Sequence, residues 1–349
     1  MHISLTNLYL NLAMINIGST DSTSKELESF LGIEFSSLIG CSCINDGILS
    51  YLENVITSLS KVTDSYTLAL SQQTLDLKYR QILKGIFHHP QSRLLFKKLS
   101  DQIEAMQTWP ERKQDKLLLD EMLEAYSHGE SAFMIYTFNN FKPKWKTYFE
   151  DKPEMVEHFR LEDGSSVIAS FITQDMNVTF YQEVNDRFNA IAIELDALNT
   201  FSIHILPQKD TTMEEFMSEL QVDDLKNCFI KGKTRLMRIQ VPTLDGITSF
   251  PLKDSLKSAG VKSLFEQDQD LGVSQASAHP LFISNIVQET RTLFNRLSLT
   301  GPKPAFVFKD SSFVPSFSFI VNRPFVFCIW DKKHEIPHML SVILNPRDA

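Results

Sequence analysis

The stretch FIVNRPFVFCIWDKK, from Phe319 to Lys333, decides the fold. Its apolar centre, Arg323 to Trp330, is typical of a buried strand. The polar residues Asp331 to Lys333 then predict a turn, and the chain closes on a second apolar run that ends VILNP, Val342 to Pro346. The sequence therefore predicts two neighbouring strands close to the C-terminus.

A long irregular segment precedes this pair. It runs from Gln288 to Pro324, after another strand-like run, His279 to Ile283. No helical period persists in it, and prolines 302, 304 and 315 interrupt any period of two. Connections of this length are uncommon in compact chains and are usually functional or disordered. We predict an exposed recognition loop, and a floppy insertion is the alternative.

The composition is that of an ordinary soluble protein. The chain has 349 residues, of which 43% are hydrophobic and 22% charged, and its net charge is −9. The length alone favours about two domains. No linker, repeat or low-complexity tract divides the sequence, however, so one mixed domain over 1–349 is predicted. Without a basic block, neither nucleic acid nor an anionic membrane is an expected partner.

The cysteines and the N-terminus bear on the compartment. Cys41, Cys43, Cys228 and Cys328 are too few and too scattered for a disulfide framework. Free thiols are predicted, which suggests a reducing environment. No signal peptide is readable after Met1. No apolar run approaches the ~18 residues of a membrane-spanning helix.

One catalytic string proves misleading. HEIPH, His334 to His338, matches the zinc-protease pattern H-E-x-x-H, which needs both histidines on one helical face. Pro337 breaks such a helix, and the preceding residues predict a turn between strands. No other catalytic string is present, so neither an enzyme nor a cofactor or metal site is predicted.

A series of motifs along the chain resembles the serpin family. The C-terminal FIVNRPFVFCIWDKK and VILNP are similar to the last two strands of a serpin, and SLTNLYLNLAM, Ser4 to Met14, resembles its buried second helix. FKPKW, Phe141 to Trp145, resembles the family's F-K-G-x-W. The remaining matching stretches, in the family's order, are Gly164 to Ser170, Phe188 to Pro207, Val241-Pro242, Asp254 to Phe265 and His279 to Ile283.

The resemblance implies a fold and an activity. Serpins are single α+β domains with three β-sheets, about eight helices and an exposed reactive-centre loop, here at about 288–323. The family's first helix is absent from this sequence. In inhibitory members a protease cleaves the loop, which then inserts as a new strand into the main sheet and disables the acylated enzyme. The implied partner is a serine or cysteine protease, and the chain is expected to be a monomer.

The resemblance also assigns the hinge of that loop. Aligned from His279 and Phe282, the hinge comprises Gln288 and Glu289, followed by an inward-facing set of Thr290, Thr292, Phe294 and Arg296. Inhibitory hinges carry small residues at those positions. Phe294 is expected to overpack the sheet by ~1–3 kcal/mol. Arg296 would bury an unpaired charge, and Glu289 replaces a glycine, so slow insertion is predicted.

Two control points of the main sheet follow from the same alignment. A buried polar cluster, the shutter, is predicted from Ser4, Asn7, Thr137 and His279.

The second control point, the breach, is predicted at the top of the sheet. Its residues are Trp145, Thr243 and Gln288. Thr243 and Gln288 stand where the family has a lysine and a glutamate, so the salt bridge of that pair is removed without leaving a lone ion.

The resemblance also implies the scissile residue, through the spacing that is usual in the family. Counted back from Pro324, it is Phe313; counted forward from the hinge, it falls near Pro304, so the loop is about nine residues longer than usual. Phe313, Phe308 and Lys309 are the candidates.

Three functional interpretations remain open at this stage. The chain is a protease inhibitor, a non-inhibitory serpin that binds an unknown protein or ligand, or a structural relative without activity. Family members are typically extracellular, whereas the missing signal peptide allows a cytoplasmic location.

Overall fold

The computed structural model of the protein describes residues 1–40, 46–71, 73–88, 92–98, 132–147, 154–266, 271–273, 281–295 and 315–348. Within them the chain forms eight α-helices: α1 Leu5–Gly18, α2 Asp21–Leu31, α3 Ser37–Gly40, α4 Asp46–Leu59, α5 Leu77–Phe87, α6 Met213–Glu219, α7 Val222–Ile230 and α8 Lys253–Ser258. This number agrees with the sequence prediction.

Fourteen strands accompany the helices in the described residues: β1 His2–Ile3, β2 Thr63–Ser71, β3 Ser92–Lys98, β4 Ala132–Phe141, β5 Met155–Arg160, β6 Ser166–Gln182, β7 Phe188–Glu194, β8 Thr200–Pro207, β9 Lys233–Pro242, β10 Leu244–Pro251, β11 Phe282–Phe294, β12 Ser318–Ile320, β13 Phe325–Asp331 and β14 Ile336–Ile343. The predicted C-terminal pair corresponds to β13 and β14, which are antiparallel.

The smaller sheet has five strands in the order β10-β11-β4-β2-β3. Its two central strands, β11 and β4, run parallel and pair from Phe282 with Ala132 to Thr292 with Phe141. Parallel neighbours cannot be joined by a tight turn, so the chain between them must cross over outside the sheet. No strand among the described residues lies between β4 and β11.

The larger sheet has nine strands. Eight follow the order β1-β14-β13-β8-β7-β6-β9-β12, and β5 pairs with β6. The sequence predicted three sheets, but the described residues form two hydrogen-bonded sheets. The reason is β6, a continuous strand of 17 residues that pairs with β5, β7 and β9 and so joins two regions of the sheet.

Helix α1 is buried almost all round, as its sequence predicts. The Ser4 side chain caps it by accepting a hydrogen bond from the Asn7 backbone N–H. The helix packs on β14 of the larger sheet, and the side chain of Asn11 donates to Thr137 in the smaller one. Because α1 contacts both sheets, its apolar residues fill the main core between them. No helix in the described part of the chain has both the length and the apolar character needed to cross a membrane.

Gly18 is a close approach at the end of α1. A Cβ at this position would overlap Val273 Cγ1 and lie 2.8 Å from Tyr79 Cε2. We expect Gly18→Ala to lower the free energy of unfolding by about 1–3 kcal/mol, because the added methyl overpacks a filled site. Urea denaturation followed by circular dichroism measures the change.

Gly85 in α5 supplies the matched control. A Cβ there meets no heavy atom within 4 Å. Gly85→Ala should raise stability by about 0.5–1 kcal/mol, because alanine favours the helix. Equal effects of the two substitutions would contradict the packing described at Gly18.

Candidate functional site between β4 and β11

Most of the predicted hinge lies inside the small sheet. Gln288 pairs with Phe250 of β10 on one side and with Thr137 of β4 on the other, and Thr292 is likewise flanked on both sides. Residues from Gln288 to Phe294 therefore belong to β11 and are largely buried. The prediction of an exposed loop from Gln288 onward is corrected, since the strand continues to Phe294. The hinge candidate Arg296 lies outside the described residues.

The sequence contains a signal for this longer strand. Every second residue from 288 to 294 faces one side of the strand, namely Gln288, Thr290, Thr292 and Phe294. Two of them are threonines, whose β-branched side chains favour strands. Pairing on both edges satisfies the backbone N–H and C=O groups as far as Thr292. This segment is therefore more stable as a strand paired with two neighbouring strands than as an exposed loop.

The amide of Gln288 holds the start of α1. The Ser4 backbone N–H donates to Gln288 Oε1 at 2.7 Å, and Gln288 Nε2 donates back to the Ser4 carbonyl at 3.0 Å. Both residues are buried. This reciprocal pair ties β11 to the N-terminus of α1, and any movement of β11 away from the helix must break it.

A layer of buried amides and hydroxyls continues from this pair. Asn7 Nδ2 donates to Asn139 Oδ1, and Asn11 Nδ2 donates to Thr137 Oγ1 at 2.9 Å. Asn139 Nδ2 reaches Thr290 Oγ1 at 3.4 Å. The layer joins α1, β4 and β11 and brings Ser4, Asn7 and Thr137 into one region, since buried polar groups require partners.

Gln288 occupies the place that the sequence alignment gave to His279. It lies opposite Thr137 and bonds to Ser4, whereas His279 lies outside the described residues. The displacement between the two positions is 288 − 279 = 9 residues. We therefore infer that the alignment from His279 placed the strand nine residues too early.

Of the three residues predicted for the breach, Gln288 does not lie at the top of the sheet with Trp145. Trp145 packs edge-on against Phe294 with ring centroids 5.6 Å apart, and Trp145 Nε1 donates to Ser202 Oγ at 3.1 Å. Gln288 is 294 − 288 = 6 residues back along β11 from Phe294, a distance of roughly 20 Å at about 3.3 Å per residue. Thr243 precedes Leu244, which pairs with Phe294, and its backbone N–H and hydroxyl donate to the Ser170 carbonyl. The inferred nine-residue displacement accounts for the position of Gln288.

Phe294 fills the top of the sheet rather than overpacking an inserted strand. It is 1% exposed and lies against Trp145, His204 and Phe327. Edge-on aromatic contacts at such distances are favourable. The predicted overpacking penalty for Phe294 as a loop residue therefore does not apply, since the ring already belongs to the core.

His204 is an unusual member of this aromatic group. Its two ring nitrogens have no hydrogen-bond partner, and the ring is surrounded by Phe294, Phe325, Phe327 and Trp145. Burial disfavours the charged imidazolium and lowers the pKa of His204 to about 3. The side chain therefore acts as a neutral aromatic.

The H-E-x-x-H string does not form a helix. His334 and Glu335 lie in the turn between β13 and β14, where Glu335 has a φ of 57°, and His338 lies within β14. The predicted turn between two strands is confirmed. The two histidines therefore lack the common helical face that a zinc protease requires.

His338 belongs instead to a buried network that the sequence analysis missed. Its Nε2 lies 2.9 Å from Ser58 Oγ, and Ser58 Oγ donates to Asp331 Oδ2. On the other side of the ring, Nδ1 lies 3.1 Å from Thr6 Oγ1. The network joins α1, α4 and both C-terminal strands. Ser58 is 2% exposed, so its hydroxyl has no access to a substrate.

The three scissile candidates, Phe308, Lys309 and Phe313, lie outside the described residues. The described structure fixes the two ends of their segment. The upstream end follows β11 at Phe294, and the downstream end is β12, Ser318–Ile320, which pairs in parallel with β9.

A family model described as Serpin (serine protease inhibitor) matches residues 1–346. The chain belongs to the serpin family. Among curated relatives, human alpha-1-antitrypsin-related protein is 20% identical over 99% of this chain and 81% of its own length. Mouse neuroserpin is 21% identical over 97% of this chain and 84% of its own length.

Solved structures share the fold at low identity. Native protease nexin-1 with heparin superposes with a TM-score of 0.81 at 17% identity, covering 99% of this chain and 92% of that one. Thyroxine-binding globulin in complex with thyroxine gives a TM-score of 0.74 at 15% identity, covering 99% and 92%. The serpin fold is thus common to proteins whose described ligands differ.

The Gln288 pair gives a test of the strand register in this serpin. We expect Gln288→Ala to lower the free energy of unfolding by about 1–3 kcal/mol, because the buried Ser4 N–H loses its acceptor. Gln288→His, which keeps a hydrogen-bonding side chain at this point, should lose less. The measurement is urea unfolding followed by tryptophan fluorescence.

His279→Ala is the control for this strand register. We expect it to lower the free energy of unfolding by less than Gln288→Ala does. A larger loss from His279→Ala than from Gln288→Ala would show that the nine-residue displacement is wrong.

The unpaired His204 predicts a pH effect on stability. Its folded pKa of about 3 lies below the ~6.5 of an unfolded histidine. The unfolded chain therefore takes up the proton first, and stability falls as pH drops below about 6.5, by about 1.4 kcal/mol per pH unit for that proton. His2 and His338, each with a pKa lowered to about 4 by burial, add to the same trend.

His204→Phe should raise stability at pH 7 and flatten the decline between pH 6.5 and pH 4.5, because it removes both unpaired nitrogens and the titration. Urea unfolding at several pH values tests this. His158→Phe, at an exposed site, is the control and should leave the slope unchanged. If stability depended on pH in His204→Phe as it does in the wild type, His204 would not be a buried, neutral side chain in the folded protein.

Proposed function

We propose that this serpin inhibits chymotrypsin-like serine endopeptidases and that Phe313 is the scissile residue. The observation that carries the proposal is the pairing of Gln288 with Thr137. If Gln288 takes the position that the alignment gave to His279, the loop starts nine residues further along the chain than the alignment placed it. The forward count from the hinge, which first gave Pro304, then becomes 304 + 9 = 313.

The corrected count removes the apparent excess length of the loop. The count back from Pro324 also gives Phe313, so the two ends of the loop now agree on one bond. An aromatic side chain at the scissile position suits the hydrophobic slot of chymotrypsin-like enzymes. Phe308 and Lys309 satisfy the spacing from neither end.

Inhibition requires the loop to enter the small sheet between β4 and β11. These strands pair directly, so insertion must first separate them and then re-form hydrogen bonds on both sides of the new strand. The Gln288–Ser4 pair and the Trp145–Phe294 contact both resist that separation. The rate of insertion depends on how well the loop sequence compensates for these losses.

The displaced hinge has both suitable and unsuitable residues. Nine residues downstream of the first set, the inward positions become Leu299, Gly301, Lys303 and Ala305. Gly301 and Ala305 are small, as a tightly packed interior requires. Lys303 carries a charge inward. The alternate positions include two prolines, at 302 and 304, which cannot donate to a central ladder.

We therefore infer that insertion is slow and that much of the protein is cleaved as a substrate. Incubation with chymotrypsin should cut the chain after Phe313 and trap a minor fraction as a complex that survives SDS. Replacing both Pro302 and Pro304 by alanine should increase the trapped fraction several-fold, because both missing N–H donors are restored. Gel electrophoresis and mass spectrometry measure the two products.

Two controls separate the candidate bonds. Phe313→Ala should abolish the complex with chymotrypsin, whereas Phe308→Ala should leave it unchanged. Trypsin, which prefers lysine, should cleave at Lys309 without forming a complex. A complex that persists in Phe313→Ala would overturn the assignment.

A non-inhibitory binding role is the second candidate, and the prolines at 302 and 304 favour it. If neither the wild type nor the double alanine variant traps a protease, and cleavage raises the melting temperature of neither, the loop does not insert. The chain would then act on a protein or ligand in another way, as the described complex of thyroxine-binding globulin illustrates for that relative.

A further inference from the structure

A cavity of about 380 Å³ lies where three connecting segments meet, away from the β4–β11 junction. Its walls come from Arg160 to Glu162 at the end of β5, from Pro207 to Met213 between β8 and α6, and from Asn322 to Pro324 before β13. Its volume is within the range of small-molecule sites.

Arg323 is the one partly buried cation among the residues that line this cavity. It is partly buried, and its Nη2 donates to the Pro207 carbonyl at 2.7 Å. Its Nε is buried and has no hydrogen-bond partner. No carboxylate of the described residues forms an ion pair with this guanidinium. Burial lowers the pKa of Arg323, which reflects the same missing compensation.

A guanidinium withdrawn from water without a counter-ion is costly, and an anion that pairs with it recovers that cost. The planar fork of arginine suits carboxylate and phosphate oxygens in particular. The unused Nε–H is therefore a ready donor for one oxygen of such a group.

The charges around the cavity agree with this ligand. Three basic residues line it, Arg160, Lys209 and Arg323, against two acidic ones, Glu162 and Asp210. Glu162 is already engaged, because its Oε1 accepts from the Met213 backbone N–H at 2.6 Å. With Glu162 engaged in this way, the three basic residues outnumber the remaining acidic residue, so the net charge of the lining favours an anion.

The lining also has an apolar part. Leu161, Pro207, Met213 and Pro324 supply hydrocarbon surface beside the guanidinium. A site with a partly buried guanidinium next to apolar side chains suits a molecule that carries an anionic group on a compact apolar body. We propose that this cavity binds a small organic anion, with Arg323 holding its carboxylate or phosphate.

Binding can be measured on the whole protein by isothermal titration calorimetry and by the shift in melting temperature. The probes are 1-naphthoate and 1-naphthyl phosphate, and the neutral control is 1-naphthamide. We expect at least one anion to bind and raise the melting temperature, and the amide to bind at least tenfold more weakly. The stronger of the two anions identifies carboxylate or phosphate as the preferred group.

Arg323→Gln should weaken binding of the anion at least tenfold, because the charge is removed. Arg347→Gln, which removes an exposed arginine elsewhere, should leave binding unchanged. Leu161→Trp adds bulk to another lining residue and should fill the cavity without altering Arg323, so the test stands even if Arg323→Gln fails to fold.

Equal binding of 1-naphthamide, unchanged affinity in both cavity variants, or no binding of either anion at millimolar concentration would overturn the proposal. Protease trapping does not enter this test, so its outcome is independent of the inhibitory function proposed above.

Discussion

The direct pairing of β4 with β11 is the constraint on which the rest of the structure depends. Two parallel strands at the centre of a sheet satisfy each other's backbone groups, and everything around them is arranged to keep them together. Below the strands, side-chain amides of α1 bond to β4, and Gln288 of β11 bonds to the backbone of Ser4 at the start of the helix. At their upper end, the rings of Trp145 and Phe294 interlock. A serpin that inhibits must later give up this arrangement, so the stability of the pair also sets its reactivity.

The family could be recognised from the sequence because its motifs are local. FKPKW, the C-terminal strand pair and the buried α1 each depend on a few adjacent residues, whose apolar periods and turns hold in any context. The capping box at Thr212 and Glu215 is another such local feature, and it is formed. These elements fix most of the fold.

The candidate site was harder to predict because it depends on register. A histidine in the family's position drew the alignment to His279, whereas the polar layer recruits Gln288. The side-chain amide of Gln288 takes the hydrogen-bonding role that the alignment gave to the imidazole of His279. The sequence alone does not reveal which residue of a long strand faces Ser4. The Ser58–Asp331–His338 network was missed for a related reason, since Ser58 is 273 residues from Asp331 and 280 from His338 along the chain. Such contacts arise from tertiary packing and leave no local pattern.

The unequal lengths of β12 and its partner have a mechanical consequence. Strand β12 has only 3 residues, and its ladder runs along β9, which has 10 and is itself anchored to the 17-residue β6. A tensile load applied through the segment before β12 meets a short ladder first and a long one second. The short ladder breaks at lower force. Strand β12 can therefore detach from β9 while the pairing of β9 with β6 stays intact.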